Sequence, residues 1–109
     1  EAIVFETDDA QLSADARFLL KGFAIYLSKQ TDLSIQINGH TDDIGDALRN
    51  QVLSEKRAAQ VATYLTSLGI AEGRIQYKGH GESQPRVAND SATNRALNRR
   101  TEFEILSLE

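Results

Sequence analysis

Ile35-Gln36-Ile37-Asn38-Gly39-His40-Thr41-Asp42, with Asn50-x-x-Leu53-Ser54-x-x-Arg57-Ala58-x-x-Val61-x-x-x-Leu65 close behind it, decides the fold. From Leu33 to Gly39 the hydrophobic period is two, with Leu33, Ile35 and Ile37 on one face and Ser34, Gln36 and Asn38 on the other. This predicts a strand with one packed and one polar face, as in a sheet covered by helices on one side only. The stretch that follows changes to a helical period, with Ala58, Val61, Ala62 and Leu65 as its buried stripe. That helix is expected to begin between Asp46 and Asn50 and to end at Leu68, because Gly69 can adopt the left-handed conformation that stops a helix.

Upstream, Ala2-Ile3-Val4-Phe5 reads as a short buried strand before the polar turn Glu6-Thr7-Asp8-Asp9. Ser13 then offers an N-cap to a helix over 14–29, along which Ala16, Leu19, Leu20, Phe23, Ala24 and Leu27 recur at helical spacing. Phe18, Ile25 and Tyr26 fall off its cleanest stripe, and either widen the buried face or form an apolar patch for a partner. Downstream, Arg74 to Gly79 predicts a third strand with Ile75 and Tyr77 inward, and Thr101 to Leu106 a fourth with Phe103 and Ile105 inward. Between them, Gly79-His80-Gly81-Glu82-Ser83-Gln84-Pro85 is rich in turn formers, and 94–98 suits a brief helical turn. The order βαβαββ predicts an α/β two-layer sandwich, a four-stranded mixed sheet with two main helices on one face. The order of the strands in the sheet is not legible.

Residues 1–109 are expected to form one domain, which at this length buries roughly 65% of its unfolded surface. Twelve basic against sixteen acidic residues give a net charge of -4, which opposes the phosphate attraction that nucleic-acid binding requires. The chain has no cysteine and therefore no disulfide framework or thiolate metal site. No apolar run approaches the ~20 residues of a membrane helix. The chain starts at Glu1, contains no methionine and shows no signal-peptide pattern, so it is expected to be a segment of a longer precursor, with any membrane anchor outside it.

Asp42 falls just past a strand end, where the loops of open α/β sheets gather ligands. On the following helix Asn50, Ser54, Arg57, Val61 and Leu65 lie along one inclined stripe, from which Arg57 is expected to project from the rim of the core toward the Asp42 loop. A guanidinium fork suits a carboxylate and a carboxylate suits an ammonium, so the two together suit an amino-acid head group. The alternative is that Asp42 and Arg57 pair with each other or cap backbone groups.

Four stretches in order, Ile37-x-Gly39-His40-Thr41-Asp42, the Asn50 to Leu65 motif, Gly79-x-Gly81-Glu82-x-x-Pro85 and Asn98-Arg99-Arg100, closely resemble the OmpA-like C-terminal domain. That family includes peptidoglycan-associated lipoproteins and the periplasmic domain of flagellar stator proteins. The likeness runs from Phe5 to Ile105. It implies a noncatalytic, periplasmic domain that binds peptidoglycan through the diaminopimelate of its stem peptide and anchors a larger envelope protein to the wall. By the same resemblance Asp42 and Arg57 hold the zwitterionic end of diaminopimelate, supported by Asn50, Thr41, Thr7, Asp8 and Arg100. Asp43 and Asp8 stand where the family often has asparagine or a small residue, and both add negative charge beside the expected ligand. Family members include dimers, so a homodimer is compatible with the resemblance.

Other chemistries fit less well. His40 and His80 with Asp42 and Asp43 match no metal-ligand spacing, and Ile44 occupies a position where a calcium loop needs an oxygen ligand, so neither metal nor cofactor is expected. A wall hydrolase needs two carboxylates facing one bond, whereas Asp42 and Asp43 are sequence neighbours whose side chains diverge. No nucleophile motif or dinucleotide fingerprint is present.

Overall fold

The computed structural model describes residues 3–4 and 12–107. Their elements are β1 (Ile3–Val4), α1 (Ala14–Lys29), β2 (Ser34–Gly39), α2 (Ala47–Ser67), a single 3-10 turn (Glu72–Arg74), β3 (Ile75–Gly79), α3 (Ala92–Asn98) and β4 (Arg100–Ser107). The sheet is mixed. β2 runs parallel to β3 and antiparallel to β4, and the two residues of β1 pair antiparallel with the far edge of β4. The architecture is thus α/β with three helices and three full strands. The mixed sheet and the two main helices, α1 and α2, are as expected, but of the four expected strands β1 is described only as a two-residue edge pairing, and the expected turn at 94–98 is part of a third α-helix of seven residues. The position of Phe5 lies outside the described residues.

Helix α1 forms where expected, for the expected reasons. Ser13 Oγ accepts the Ala16 N–H at 3.0 Å, which satisfies one orphan donor of the first turn. Ala16, Leu20, Ala24 and Leu27 then share one buried face, whereas Leu19, expected on the same stripe, is exposed because it lies about 100° around the helix from Leu20. Helix α2 is capped at its start by Asp46 and at its end by Gly69, whose φ is +100°. There the Ile70 N–H reaches Leu65 O at 3.2 Å and the Gly69 N–H reaches Thr66 O at 3.0 Å, a Schellman closure that carries the apolar Ile70 back into the core. Arg74 closes α1 from outside, donating from Nη2 to Leu27 O and Gln30 O and from Nε to Leu33 O. A guanidinium at the negative end of a helix is favourable in both charge and hydrogen bonding.

The core lies between one face of the sheet and the two long helices. Leu20, Leu27, Ile35, Ile37, Val61 and Leu65 are almost fully buried, and Phe23 packs on Phe103 with ring centroids 4.6 Å apart. Each such side chain contributes roughly 1.5–3 kcal/mol relative to exposure. Tyr77 and Ile105 depart from expectation, for both are more than half exposed. They pair in register with Ile37 and Ile35, and so share the helix-facing side of the sheet. Tyr77, however, sits on the edge strand and Ile105 near the end of β4, where the helices do not cover them.

The helix layer comes closest to the sheet at one point. Gly39 and Gly79 are register partners on β2 and β3. A Cβ on Gly39 would run into the Ser54 carbonyl oxygen, and one on Gly79 would stand 2.5 Å from Ser54 Oγ. Ser54 and Ala58 are therefore small because α2 lies directly on the backbone of two strands. Gly39→Ala is expected to lower stability by about 1–3 kcal/mol, the usual range for overpacking, seen as a lower urea midpoint at unchanged slope.

Candidate ligand-binding site

Beyond Gly39 the chain leaves β2 but stays tied to its neighbours. The His40 N–H donates to Arg100 O at 2.8 Å, and the Thr41 N–H to Gly81 O at 2.9 Å. Asp42 is thereby held where the C-terminal ends of β2 and β3 meet the start of β4. Around it is a group of buried polar residues: His40, Thr41, Asp42, Asn50, Ser54, Arg57, Asn98 and Arg100. Such groups are costly to bury unless each finds partners, and most of these do.

The Asp42 carboxylate accepts from the Ile44 N–H at 3.1 Å through Oδ1 and from Arg99 Nη1 at 3.1 Å through Oδ2. Thr41 Oγ1 donates to Asp42 O at 2.8 Å. Asn50 Nδ2 lies within 3.3 Å of three acceptors, Asp42 O, Ile44 O and Glu82 Oε1, and so fastens the 42–44 loop and the Glu82 turn to the first half of α2. Ser54 Oγ accepts the Gly81 N–H at 2.8 Å, and Gln51 Nε2 donates to Gly79 O at 2.7 Å. One turn further along α2, Arg57 Nη1 donates to His40 O at 3.0 Å.

Thr41, Asp42 and Asn50 are thus in direct contact, and Arg57 binds the same short segment two residues before the acid. Arg57 is fully buried rather than at the rim of the core, with 0% exposure against 4% for Asp42. Arg100 turns elsewhere: it donates to Gln84 O at 3.0 Å and to Glu102 Oε1 at 3.3 Å. Thr7 and Asp8 lie outside the described residues. The side chain that sequence reasoning missed is Arg99, which pairs with Asp42 from the Asn98-Arg99-Arg100 motif. Asn98 has a structural duty in that motif. Its amide accepts the Arg86 and Val87 N–H groups and donates to Val87 O, clasping the loop before α3.

The two histidines stack at 5.0 Å. Burial, reinforced by the Arg100 charge, pushes the His40 imidazole down to about 4, although Glu102 opposes the shift with its carboxylate 3.5 Å from Nε2. Neither His40 nitrogen has a hydrogen-bond partner among the described residues. Burial works to raise the Glu102 carboxyl, but the hydrogen bond and charge of Arg100 outweigh it, and the group titrates below its ordinary value. A shallow groove of about 410 Å³ between α2 and β3, lined by Val52, Glu55, Lys56 and Tyr77, contains none of the expected binding residues.

With the geometry in hand, the class is clear: a small α/β domain that gathers buried charge at the end of its central strand. Residues 4–99 match the OmpA family, and the chain belongs to that family. It is 42% identical over 103 residues to outer membrane protein A of Bordetella avium, covering 94% of this chain and 53% of that protein. Its fold superposes on the crystal structure of the peptidoglycan-associated lipoprotein from Burkholderia pseudomallei with a TM-score of 0.93 at 27% identity, covering 96% of this chain and 89% of the other. The cell wall anchor of the type VI secretion system from Pseudomonas aeruginosa gives a TM-score of 0.82 at 31% identity, with 95% and 75% of the chains covered. The chain spans about a third to a half of the length of the outer-membrane relatives it matches.

His40 makes the fold sensitive to acid. Its folded pKa of about 4 lies below the ordinary 6.5, so between those values the unfolded chain binds a proton that the folded chain refuses. The contribution is complete above about pH 6.5 and lost as pH falls toward 4, amounting to roughly 3 kcal/mol. Urea titrations across this window are expected to show the decline, and His40→Gln to flatten it.

Proposed function

We propose that this chain binds peptidoglycan noncovalently through the diaminopimelate of the stem peptide, and from the periplasm anchors a larger envelope protein to the cell wall. The observation that carries the reading is the fastening of an acid and a guanidinium to one three-residue segment at the end of β2: Asp42 within it, and Arg57 bonded to the carbonyl of His40. Asp42 is the acceptor for the ammonium of the ligand and Arg57 the donor to its carboxylate. Thr41 and Asn50 act by fixing the loop, through bonds to Asp42 O. Arg100, Thr7 and Asp8 complete the proposed set on the strength of the family resemblance.

The Asp42–Arg99 bond bears on the chemistry. The Asp42 carboxylate lies 3.1 Å from the Arg99 guanidinium, an arrangement that suits recognition by charge-assisted hydrogen bonds. The relatives named as a peptidoglycan-associated lipoprotein and as a cell wall anchor support an assignment to the cell wall.

Sedimentation with purified sacculi tests the proposal. Each charge-assisted bond is worth about 1.5–3 kcal/mol where water is partly excluded, so Asp42→Asn and Arg57→Lys are each expected to weaken binding by roughly ten- to a hundredfold. Circular dichroism and urea midpoints are the check that both variants remain folded. Walls with lysine in place of diaminopimelate are expected to bind more weakly, because they lack the second carboxylate. Undiminished cosedimentation of two folded variants would refute the assignment, and release of soluble muropeptides would replace it with hydrolysis.

A further inference from the structure

β3 is the outermost strand at its end of the sheet, and the side it turns away from β2 is only partly closed. In a parallel pair, a residue directs both its backbone groups to one neighbour and the next residue directs both of its own the other way. The His80 N–H donates to Gly39 O, so Gln76 and Lys78 face β2, and Ile75, Tyr77 and Gly79 turn their backbone groups to the open edge. The chain itself occupies the groups at either end of that row. The Ile75 N–H closes the 3-10 turn on Glu72 O, and Gly79 O accepts from Gln51 Nε2 at 2.7 Å. Between them Ile75 O, the Tyr77 N–H, Tyr77 O and the Gly79 N–H have no partner among the described residues. Alongside this row runs the groove against α2, in two hollows that meet at the exposed Tyr77. One, of about 410 Å³, lies beside Val52 and Ala59, and the other, of about 320 Å³, beside Ala62 and Thr66.

The free groups have a direction. A strand added parallel to β3 sends the N–H and C=O of one residue to Ile75 O and the Tyr77 N–H, and those of the residue two further on to Tyr77 O and the Gly79 N–H. Every free group is then used. An antiparallel strand would pair one residue fully with Tyr77 but set a carbonyl against the Ile75 N–H and an N–H against Gly79 O, both already engaged. A parallel strand enters beside Glu72 and leaves beside Lys56 and Lys78, where Glu55 offsets only one of the two lysines. Its side chains in line with Ile75, Tyr77 and Gly79 enter the groove, and those in line with Gln76 and Lys78 point to the open face of the sheet. We infer that the β3 edge and its groove bind an extended segment of a partner protein as an added parallel strand, with apolar side chains at alternate positions and acidic residues toward its C-terminal end. Main-chain bonds hold such a segment and the hollows select its side chains. One short strand is a small contact, so the affinity belongs to the weak, transient class.

The probe is a heptapeptide blocked at both ends, lysine-valine-threonine-valine-glutamate-valine-glutamate, whose valines fall in line with Ile75, Tyr77 and Gly79. Titrated into isotope-labelled chain up to about 5 mM, it is expected to shift the amide resonances of Tyr77 and Gly79 far more than those of Gln76 and Lys78, which are bonded to β2. Methylating the threonine and first glutamate nitrogens removes the donors to Ile75 O and Tyr77 O and is expected to abolish binding. Methylating the middle valine nitrogen, which points away from the edge of a parallel neighbour, is expected to change the affinity by less than about threefold. Lys78→Glu is expected to weaken the peptide roughly tenfold and to leave cosedimentation with sacculi unchanged, since Lys78 stands outside the polar group around Asp42. Tyr77 and Gly79 resonances that stay in place throughout the titration overturn the inference. Loss of binding on methylation of the valine instead marks an antiparallel strand and overturns it equally. Movement of the same two resonances with chain concentration alone would give the edge to a second copy of this chain and reject the peptide.

Discussion

The contact on which the rest of this structure depends is the seating of Ser54 against the backbones of Gly39 and Gly79. Two strands present glycine at the same register position, and a helix is laid across them with no side chain intervening. Everything polar in the site is measured from that point. Ser54 Oγ captures the Gly81 amide, Gln51 captures the Gly79 carbonyl, and Arg57 extends just far enough to reach His40 O. A methyl group at either glycine would lift α2 off the sheet and withdraw the arginine from the segment that carries Asp42. The small residues of the motif and its charged residues therefore belong to one device, the former setting the distance at which the latter operate.

Burying so much charge in a chain of 109 residues requires compensation, which comes as hydrogen bonds to particular oxygens. Asp42 is held by Arg99 and a main-chain amide, Arg57 by a carbonyl, and Arg100 by carbonyls and Glu102. His40 is the exception. Enclosed next to Arg100 and stacked on His80, it remains neutral, and the fold bears the cost when acid forces a proton onto it. The low His40 pKa thus has its source in a strand end removed from water and next to the Arg100 guanidinium.

Local signals were legible in the sequence wherever a cap or a strict period expressed them. Ser13 and Gly69 each mark a helix boundary because each performs a backbone task that few residues can perform. The alternation from Leu33 to Gly39 identified the buried face of β2, since that strand is central and one of its faces is covered throughout. Tyr77 and Ile105 obey the same alternation yet remain exposed, because period two reports which side a residue faces and carries no information on whether a helix extends over it. The insertion of β4 between β1 and β2 leaves no trace in composition, being a consequence of long-range pairing. Arg99 and Arg100 show the same limit at the site. Arg99 caps the end of α3 and Arg100 opens β4, and which of the two meets Asp42 depends on where long-range pairing sets that junction.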